Sequence, residues 1–174
     1  MKISLNIRQI FLFTVLFISS SVSRCQVYKY IGLEDGLNNQ KIYYIQKDRR
    51  GYMWFLTQEG VDRYDGKYIK HYNFSDDSIK LDSRIALNWL YMDSGNILWV
   101  IGQKGRIFRY DSQHDKFKLA YIHPELIRNK PQAFLNYGYL DKNDRIWLCY
   151  KDSITWYDIR TGTTLHMPTP VNGE

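Results

Sequence analysis

The stretch that decides the fold is Asp48-Arg49-Arg50-Gly51-Tyr52-Met53-Trp54. It recurs as Asp93-Ser94-Gly95-Asn96-Ile97-Leu98-Trp99, and again as Asp141-Lys142-Asn143-Asp144-Arg145-Ile146-Trp147. In each copy the Trp lies six positions after the Asp, and the three Trp residues are 45 and then 48 positions apart. A fixed period of this length is typical of proteins in which each repeat is one supersecondary unit. The sequence therefore predicts three structural repeats.

The residues around each copy predict short antiparallel strands. Residues 52–57 are almost continuously apolar, which is typical of a strand buried on both faces. Asp65-Gly66 is a hairpin signal, and no stretch after the N-terminal segment has a helical period. Four strands in about 45 residues are typical of a β-propeller blade. We therefore expect an all-β chain of about three four-stranded antiparallel blades in an incomplete or open propeller: blade one at 41–74, blade two at 84–122 and blade three at 132–168.

The N-terminus has the layout of a secretory signal peptide. Lys2 and Arg8 precede an apolar run at residues 10–18, and small residues follow at 19–23. The apolar run is shorter than the ~20 residues that a membrane-spanning helix needs. We predict that residues 1–25 are the signal peptide, cleaved after Cys25, and that residues 26–174 are exported to the periplasm. Two alternatives remain: lipidation at Cys25, or an uncleaved signal that anchors the chain.

The charge pattern argues against a nucleic-acid partner. The chain has 24 basic and 18 acidic residues and a formal net charge of +6. Residues 1–25 hold three of the basic residues and no acidic one, so residues 26–174 carry a net charge of +3. These charges are scattered and form neither a basic block nor a basic stripe. The sequence predicts an ordinary solvated surface and no nucleic-acid binding.

The repeated Trp and Asp residues are interpreted as scaffold. A Trp ring could stack on a sugar, but a fixed place in repeated apolar strands favours core packing for Trp54, Trp99 and Trp147. A repeated carboxylate could suggest metal binding or catalysis, but each Asp precedes a turn that contains Gly or Asn. Asp in that position accepts hydrogen bonds from its own backbone, so we interpret Asp48, Asp93 and Asp141 as turn residues. Cys149, within an apolar strand, is expected to be a small buried hydrophobe.

No other pattern predicts catalytic residues, a metal or a cofactor. The histidines share no ligand spacing and are expected singly at the surface: His71, His114, His123 and His166. The sequence contains no nucleophile elbow, HExxH, CxxC or phosphate loop. Asp76 and Asp77 are adjacent in a loop, which is not the geometry of a glycosidase. If a ligand binds, the loops at one end of the blades are the expected place. The residues near such loops are Asn38, Asn39, Tyr43 and Arg84, and the sequence does not assign any of them to a site.

The first repeat resembles a known family. Asp35-Gly36-Leu37-Asn38-Asn39, Ile42, Ile45 and the pattern Asp48-x-x-Gly51-x-x-Trp54-x-x-Thr57-x-x-Gly60-Val61-x-Arg63-Tyr64-Asp65 are similar to the two-component regulator propeller repeat. The resemblance covers essentially all of residues 26–174. The second repeat departs from the pattern because it lacks the Thr after its Trp. The third has Tyr150-Lys151-Asp152-Ser153 in place of the Thr-to-Gly turn.

The resemblance implies a non-enzymatic, extracytoplasmic sensor module of a hybrid two-component receptor. In complete members of the family, carbohydrate fragments bind outside the membrane and a histidine kinase signals inside. The resemblance also implies that residues 27–31 form a strand that closes the ring as the outer strand of the last blade. The alternatives are a propeller-type enzyme that acts on polysaccharides, and a truncated structural or protein-interaction fragment.

The number of repeats leads to an expectation about partners. Closed propellers typically use about 4–8 blades, so we expect the N-terminal piece of a receptor, without its kinase. Membrane contact would come only from an uncleaved signal or from the missing receptor segments. Two apolar blade faces would be open, which favours self-association or contact with other propeller blades. An oligosaccharide is the expected ligand, and no cofactor is expected.

Overall fold

The computed structural model describes Asn6 and residues 28–74, 86–123 and 135–169. The chain divides into two units, residues 1–30 and residues 31–174. Apart from Asn6, the predicted signal peptide and Cys25 lie outside the described residues. Within these described ranges, no helix is long and apolar enough to span a membrane. All the regular secondary structure described belongs to the second unit.

Three four-stranded antiparallel sheets follow one another along the chain, and the strands of each sheet pair in chain order. The first sheet contains β1 (Ile42–Lys47), β2 (Met53–Thr57), β3 (Gly60–Tyr64) and β4 (Ile69–Tyr72). The second contains β5 (Leu87–Met92), β6 (Leu98–Gly102), β7 (Ile107–Asp111) and β8 (Lys116–Tyr121). The third contains β9 (Leu135–Leu140), β10 (Arg145–Tyr150), β11 (Ser153–Asp158) and β12 (Thr164–Pro168). Short 3₁₀ helices lie at Leu33–Asp35 and Gln103–Gly105. The predicted all-β architecture of three four-stranded antiparallel sheets is confirmed.

The repeated Asp residues form the turn between the first and second strands of each sheet. Asp48, Asp93 and Asp141 each accept at Oδ1 the backbone N–H of the residue four positions later, at 2.7–3.0 Å. The interpretation of these residues as turn residues is therefore confirmed. The fourth residue of the second and third turns is left-handed, with φ of 64° at Asn96 and 61° at Asp144. Asn and Asp are the residues other than glycine that best tolerate this region.

The same Asp also binds the Trp that lies six positions later. Its Oδ2 accepts the indole Nε1–H at 3.0 Å in the first sheet and at 2.8 Å in the second and third sheets. A buried indole N–H needs an acceptor, and the turn supplies it. The constant spacing of six positions thus has a direct physical cause, which the sequence pattern alone does not show.

Apolar side chains from facing sheets form two core clusters. The cluster between the first and second sheets includes the buried residues Trp54, Leu56, Leu90, Val100 and Phe108. The cluster between the second and third sheets includes Trp99, Ile101, Ile107, Ile146 and Leu148. A fully buried aliphatic or aromatic side chain of this kind contributes about 1.5–3 kcal/mol to stability. All of β6, and all of β2 except its first residue, are buried, which confirms that these second strands are covered on both faces.

The third sheet is fully buried on one face only. Its strand β10 alternates half-buried and buried residues, so Trp147 and Cys149 are half-buried. The predictions of core packing for Trp147 and of burial for Cys149 are therefore wrong, because no described sheet covers this face. The same face carries Tyr137, Tyr139 and Leu165, whose exposed fractions are 52%, 47% and 47%. Self-association through this face stays a prediction.

Residues 28–31 do not form the predicted strand. They have no regular secondary structure, because none of the three described sheets pairs with them. Val27 lies outside the described residues. Instead, Ile31 and Leu37 pack on the outer face of the first sheet, against Phe55 and Tyr64. One of the two faces expected to be open is thus partly covered by the chain itself. The role of residues 27–31 in closing a ring stays a prediction.

Candidate functional site

Each first strand carries a β-bulge at the same place in the repeat. The pairing register slips by one residue at Tyr43 in β1, at Asn88 in β5 and at Asn136 in β9. Each of these residues lies eleven positions before the repeated Trp. A bulge changes the direction of a side chain, and bulges are over-represented beside functional sites. We call Tyr43, Asn88 and Asn136 the bulge residues.

The bulge residues provide groups suited to a ligand rich in hydroxyls. Tyr43 and Asn136 are exposed and Asn88 is half-buried. Phenol and carboxamide groups both donate and accept hydrogen bonds, and a phenol ring adds an apolar surface. The Lys41 Nζ lies 5.3 Å from the centre of the Tyr43 ring. Each of the three side chains can therefore hydrogen-bond a polar group, and the Tyr43 ring adds an apolar face.

Aromatic contacts join the first strands to one another. The ring centres of Tyr44 and Tyr91 are 6.2 Å apart, and those of Tyr91 and Tyr139 are 6.3 Å apart. The Tyr91 hydroxyl donates to the carbonyl oxygen of Gly138 at 2.8 Å. Burial, reinforced by neighbouring tyrosines, raises the pKa of Tyr91 well above its ordinary value, so the phenol keeps the proton that it donates. These contacts hold the strands that carry the bulge residues.

A carboxylate joins the first sheet to the second. Asp115 Oδ1 lies 2.9 Å from Arg63 Nη1, and Oδ2 lies 2.5 Å from Lys70 Nζ. The hydroxyls of Tyr72 and Tyr110 both donate to Oδ1 at 2.5 Å. Partial burial works to raise the pKa of Asp115, but the bonds from Lys70, Tyr110 and Tyr72 and the charge of Arg63 lower it overall. We call these five residues the Asp115 cluster. No pattern in the sequence assigns a function to any of them.

The turns join the second sheet to the third. Asp144 is 4% exposed and accepts the backbone N–H of Ser94 at 3.0 Å and the Ser94 hydroxyl at 2.5 Å. It also accepts Nη2–H of Arg160 at 2.7 Å. The equivalent contact between the first and second sheets is donated by the Arg49 backbone to Asn96 Oδ1 at 2.9 Å. The left-handed residue of one turn thus holds the turn of the preceding repeat.

Replacing Ser94 by alanine removes a donor to this buried carboxylate. We expect Ser94→Ala to lower the free energy of unfolding by about 1–2 kcal/mol at pH 7. Hydrogen bonds from Ser94 and Arg160 lower the pKa of Asp144 to about 2. A carboxyl group with a depressed pKa stabilises the fold at pH values above its unfolded pKa of about 4. This stabilisation is lost as pH falls toward 2. Urea unfolding at pH 7 and pH 3 should show the difference from wild type shrinking at low pH.

The control for this experiment is Ser112→Ala, which removes an exposed serine hydroxyl from the loop after β7. It should change the unfolding free energy by less than about 0.5 kcal/mol at both pH values. A Ser94→Ala effect that is the same at pH 7 and pH 3 would contradict the role assigned to the Asp144 carboxylate.

The structure places the other residues named from the sequence outside this site. The Asn38 backbone N–H donates to Asp62 Oδ2 at 2.8 Å, and Asn39 Oδ1 accepts the Lys41 backbone N–H at 2.7 Å. Both contacts organise the chain that leads into β1. The remaining three lie outside the described residues: Asp76, Asp77 and Arg84. Of the residues near loops that the sequence analysis named, the structure brings Tyr43 into the set of bulge residues.

One histidine differs from the prediction. His71 and His114 each contact an Asp carboxylate at 2.7 Å. His123, predicted at the surface, is only 4% exposed, because its ring packs 4.9 Å from that of Tyr150 and 5.5 Å from that of His166. Across the described ranges, no three His, Cys, Asp or Glu side chains are grouped as metal ligands.

The chain is similar to known propeller proteins in sequence and fold. Residues 36–59 match the model of the two component regulator propeller. The chain is similar to the extracellular domain of BT3049 from B. thetaiotaomicron, described as a hybrid two component system, with 26% identity and a TM-score of 0.61. That match covers 80% of this chain and 20% of the other. No curated protein matches the chain in sequence.

Two further structures share the fold. The extracellular domain of BT4673 from B. thetaiotaomicron, also described as a hybrid two component system, has 18% identity and a TM-score of 0.60 over 90% of this chain and 20% of the other. Virginiamycin B lyase from Staphylococcus aureus, solved with quinupristin as an inactive variant, has 18% identity and a TM-score of 0.55 over 77% of this chain and 44% of the other. At these identities the likeness concerns the fold alone. The chain spans about a fifth of the length of these two extracellular domains.

Proposed function

We propose that this chain, which is similar to the two-component regulator propellers, is part of the ligand-binding region of a hybrid two-component sensor. The observation that carries the proposal is the similarity to the extracellular domain of BT3049 over 80% of the chain. The N-terminal pattern of Lys2, Arg8 and the apolar residues 10–18 supports export to the periplasm. The proposal includes no catalytic activity for this chain.

The ligand that we propose is a saccharide held at the bulge residues. Tyr43, Asn88 and Asn136 come from three successive sheets and offer a phenol and two carboxamides. Sugar hydroxyls need groups that both donate and accept, and these side chains do both. Their equivalent positions in the repeats favour a ligand that contacts more than one sheet at once.

A ligand that contacts several sheets can carry a signal. It stabilises the arrangement of the sheets in which all its contacts form, and its differential affinity sets how far that equilibrium shifts. In a complete receptor this shift would act on segments outside the present chain. The part played by this chain is therefore binding, and transmission belongs to the rest of the receptor.

The test is calorimetric titration of the full chain with a panel of neutral and acidic oligosaccharides. We expect at least one to bind, and Asn88→Ala or Asn136→Ala to weaken it by about tenfold each, which corresponds to about 1.4 kcal/mol. Tyr43→Ala should weaken binding more than Tyr43→Phe, because the phenylalanine keeps the ring.

The matched control is Tyr68→Ala, which removes a tyrosine that is 63% exposed and lies in the hairpin of the first sheet. The Tyr68→Ala variant should bind the oligosaccharide as tightly as wild type does. The proposal is wrong if no saccharide binds, or if the bulge variants bind as tightly as the Tyr68 variant.

A further inference from the structure

The first and second sheets carry the same row of three side chains on the face that meets the next sheet. In the first sheet, Trp54 pairs with Arg63 and Arg63 pairs with Lys70. The second sheet repeats this row as Trp99, Arg109 and Lys118. Residues directly opposite each other in an antiparallel sheet lie on the same face. Each sheet thus presents a Trp, an Arg and a Lys in one row toward the sheet that follows.

The residue that meets the first row has no counterpart at the second. Asp115 lies five positions after Tyr110, and Gly162 lies five positions after Tyr157, in hairpins of equal length. Both have a left-handed backbone, with φ of 49° and 72°. Asp115 pairs with Arg63 and Lys70 at the first interface. At the second interface the equivalent residue is a glycine, which has no carboxylate to offer Arg109.

A cavity of about 520 Å³ borders Arg109, Lys118 and Tyr157, which are the counterparts of the Asp115 partners Arg63, Lys70 and Tyr110. Its polar and aromatic lining consists of Trp99, Arg109, Tyr110, Asp111, Ser112, Gln113, Lys118 and Tyr157. The remaining lining residues are aliphatic.

Arg109 is an exposed cation at the edge of this cavity. Among the residues that the structure describes, its guanidinium has no hydrogen-bond or ion-pair partner. Lys118 is different, because its Nζ lies 2.5 Å from Asp111 Oδ2. A smaller neighbouring cavity also borders Arg109, and the carboxylates of Asp93 and Asp144 line it. Asp93 accepts a hydrogen bond from the Trp99 indole, and Asp144 accepts one from Arg160. Neither carboxylate forms an ion pair with Arg109.

We propose that this cavity binds the carboxylate of an acidic saccharide, with Arg109 as the residue that pairs with it. At the first interface, the Arg and Lys of the equivalent row bind the carboxylate of Asp115. A planar guanidinium matches a carboxylate with two parallel hydrogen bonds. The inference rests on the proposed sensor function and adds an anion-binding site to the neutral one proposed at the bulge residues.

Trigalacturonate and galactotriose test this inference, because the first carries carboxylates and the second does not. Titration of the full chain at pH 7 should give an affinity about tenfold or more higher for trigalacturonate. Arg109→Gln should remove this preference. Arg50→Gln, which removes an exposed charge at the other interface, is the matched control and should keep it.

A second variant fills the cavity from inside. Gly162→Asp restores the carboxylate that Asp115 supplies at the first interface, and a Cβ at Gly162 meets no atom within 4 Å. Asp115 shows that aspartate adopts the required left-handed backbone. We expect Gly162→Asp to lose trigalacturonate binding as Arg109→Gln does. Gly162→Asn adds a side chain of the same size without charge and should bind within about threefold of wild type.

The outcomes separate this inference from the proposed function. The inference is overturned if trigalacturonate does not bind the folded wild type, or if it binds Arg109→Gln and Gly162→Asp as tightly as wild type. A neutral saccharide that still binds at the bulge residues in those experiments leaves the sensor proposal intact. Circular dichroism of each variant shows that a lost affinity comes from a folded protein.

Discussion

Trp99→Ala is expected to lower the free energy of unfolding by about 3–5 kcal/mol, and Trp147→Ala by about 1–2 kcal/mol. The two residues hold the same position in their repeats, and both donate to an Asp at 2.8 Å. Trp99 is 2% exposed and lies in the core between the second and third sheets, with its ring 6.2 Å from that of Tyr157. Its removal opens a cavity between two sheets that cannot fully collapse.

Trp147 has a smaller expected effect because water already reaches it. It lies on the half-exposed face of the third sheet, opposite Tyr139 and Trp156. Truncation of a partly solvated side chain removes less buried area and leaves no enclosed cavity. Urea unfolding of the full chain, followed by circular dichroism, measures both changes.

Trp156→Ala is the control for this comparison, because Trp156 shares the half-exposed face but is not bonded to a turn Asp. Trp156→Ala should lower the free energy of unfolding by about as much as Trp147→Ala does. Trp99→Phe keeps most of the volume and provides a folded variant between wild type and alanine. If Trp147→Ala lowers the free energy of unfolding as much as Trp99→Ala does, this face of the third sheet is covered in solution, which would contradict the structure.

Asp115→Asn is expected to lower the free energy of unfolding by about 2 kcal/mol at pH 7. Hydrogen bonds to charged groups are worth about 1.5–3 kcal/mol each, but the Asp115 side chain is 37% exposed and that of Lys70 is 49% exposed, so solvent screens part of the gain. Arg63, whose side chain is 17% exposed, then loses its anion. Its guanidinium is left among the rings of Tyr52 and Trp54, at 4.8 and 5.4 Å from their centres.

The effect of Asp115→Asn should depend on pH in a defined direction. The pKa of Asp115 is depressed in the fold, so its contribution is present above the unfolded carboxyl pKa of about 4 and is lost as pH falls below that value. The unfolding free energies of wild type and variant should therefore begin to converge as pH falls below about 4, and they should meet only near the depressed pKa of the folded state. Glu59→Gln, which removes the charge of an exposed residue in the first sheet, is the control and should change stability little at any pH. A difference that stays constant down to pH 3 would refute the assignment of the stabilisation to the carboxylate.

Most of the fold could be predicted from the sequence because the signals are local. The Asp-to-Trp spacing, the apolar second strands and the Asp-Gly hairpin each depend on residues that are neighbours in the chain. Residues 28–31 were the exception among the strands. Their alternation of apolar and polar residues satisfies the strand pattern, but a strand also needs a partner, and no described sheet provides one.

The candidate site could be predicted only in part. Its place near a loop makes Tyr43 a candidate from the sequence, whereas Asn88 and Asn136 are absent from that prediction. A bulge is a property of the register between two strands, and register depends on the partner strand as well as on the sequence of the bulged one. One signal was present in the sequence, since all three residues lie eleven positions before a repeated Trp.

The sequence by itself determined three repeats, their strand content and the Asp turn that begins each second strand, because these depend on contacts between near neighbours in the chain. Only the tertiary structure decided how residues at equivalent positions in the repeats differ in burial and in partners. Trp99 is buried and Trp147 half-exposed because a sheet packs on one and not on the other. Arg63 meets Asp115 while Arg109 faces a cavity, because a glycine stands at the equivalent place in the next hairpin.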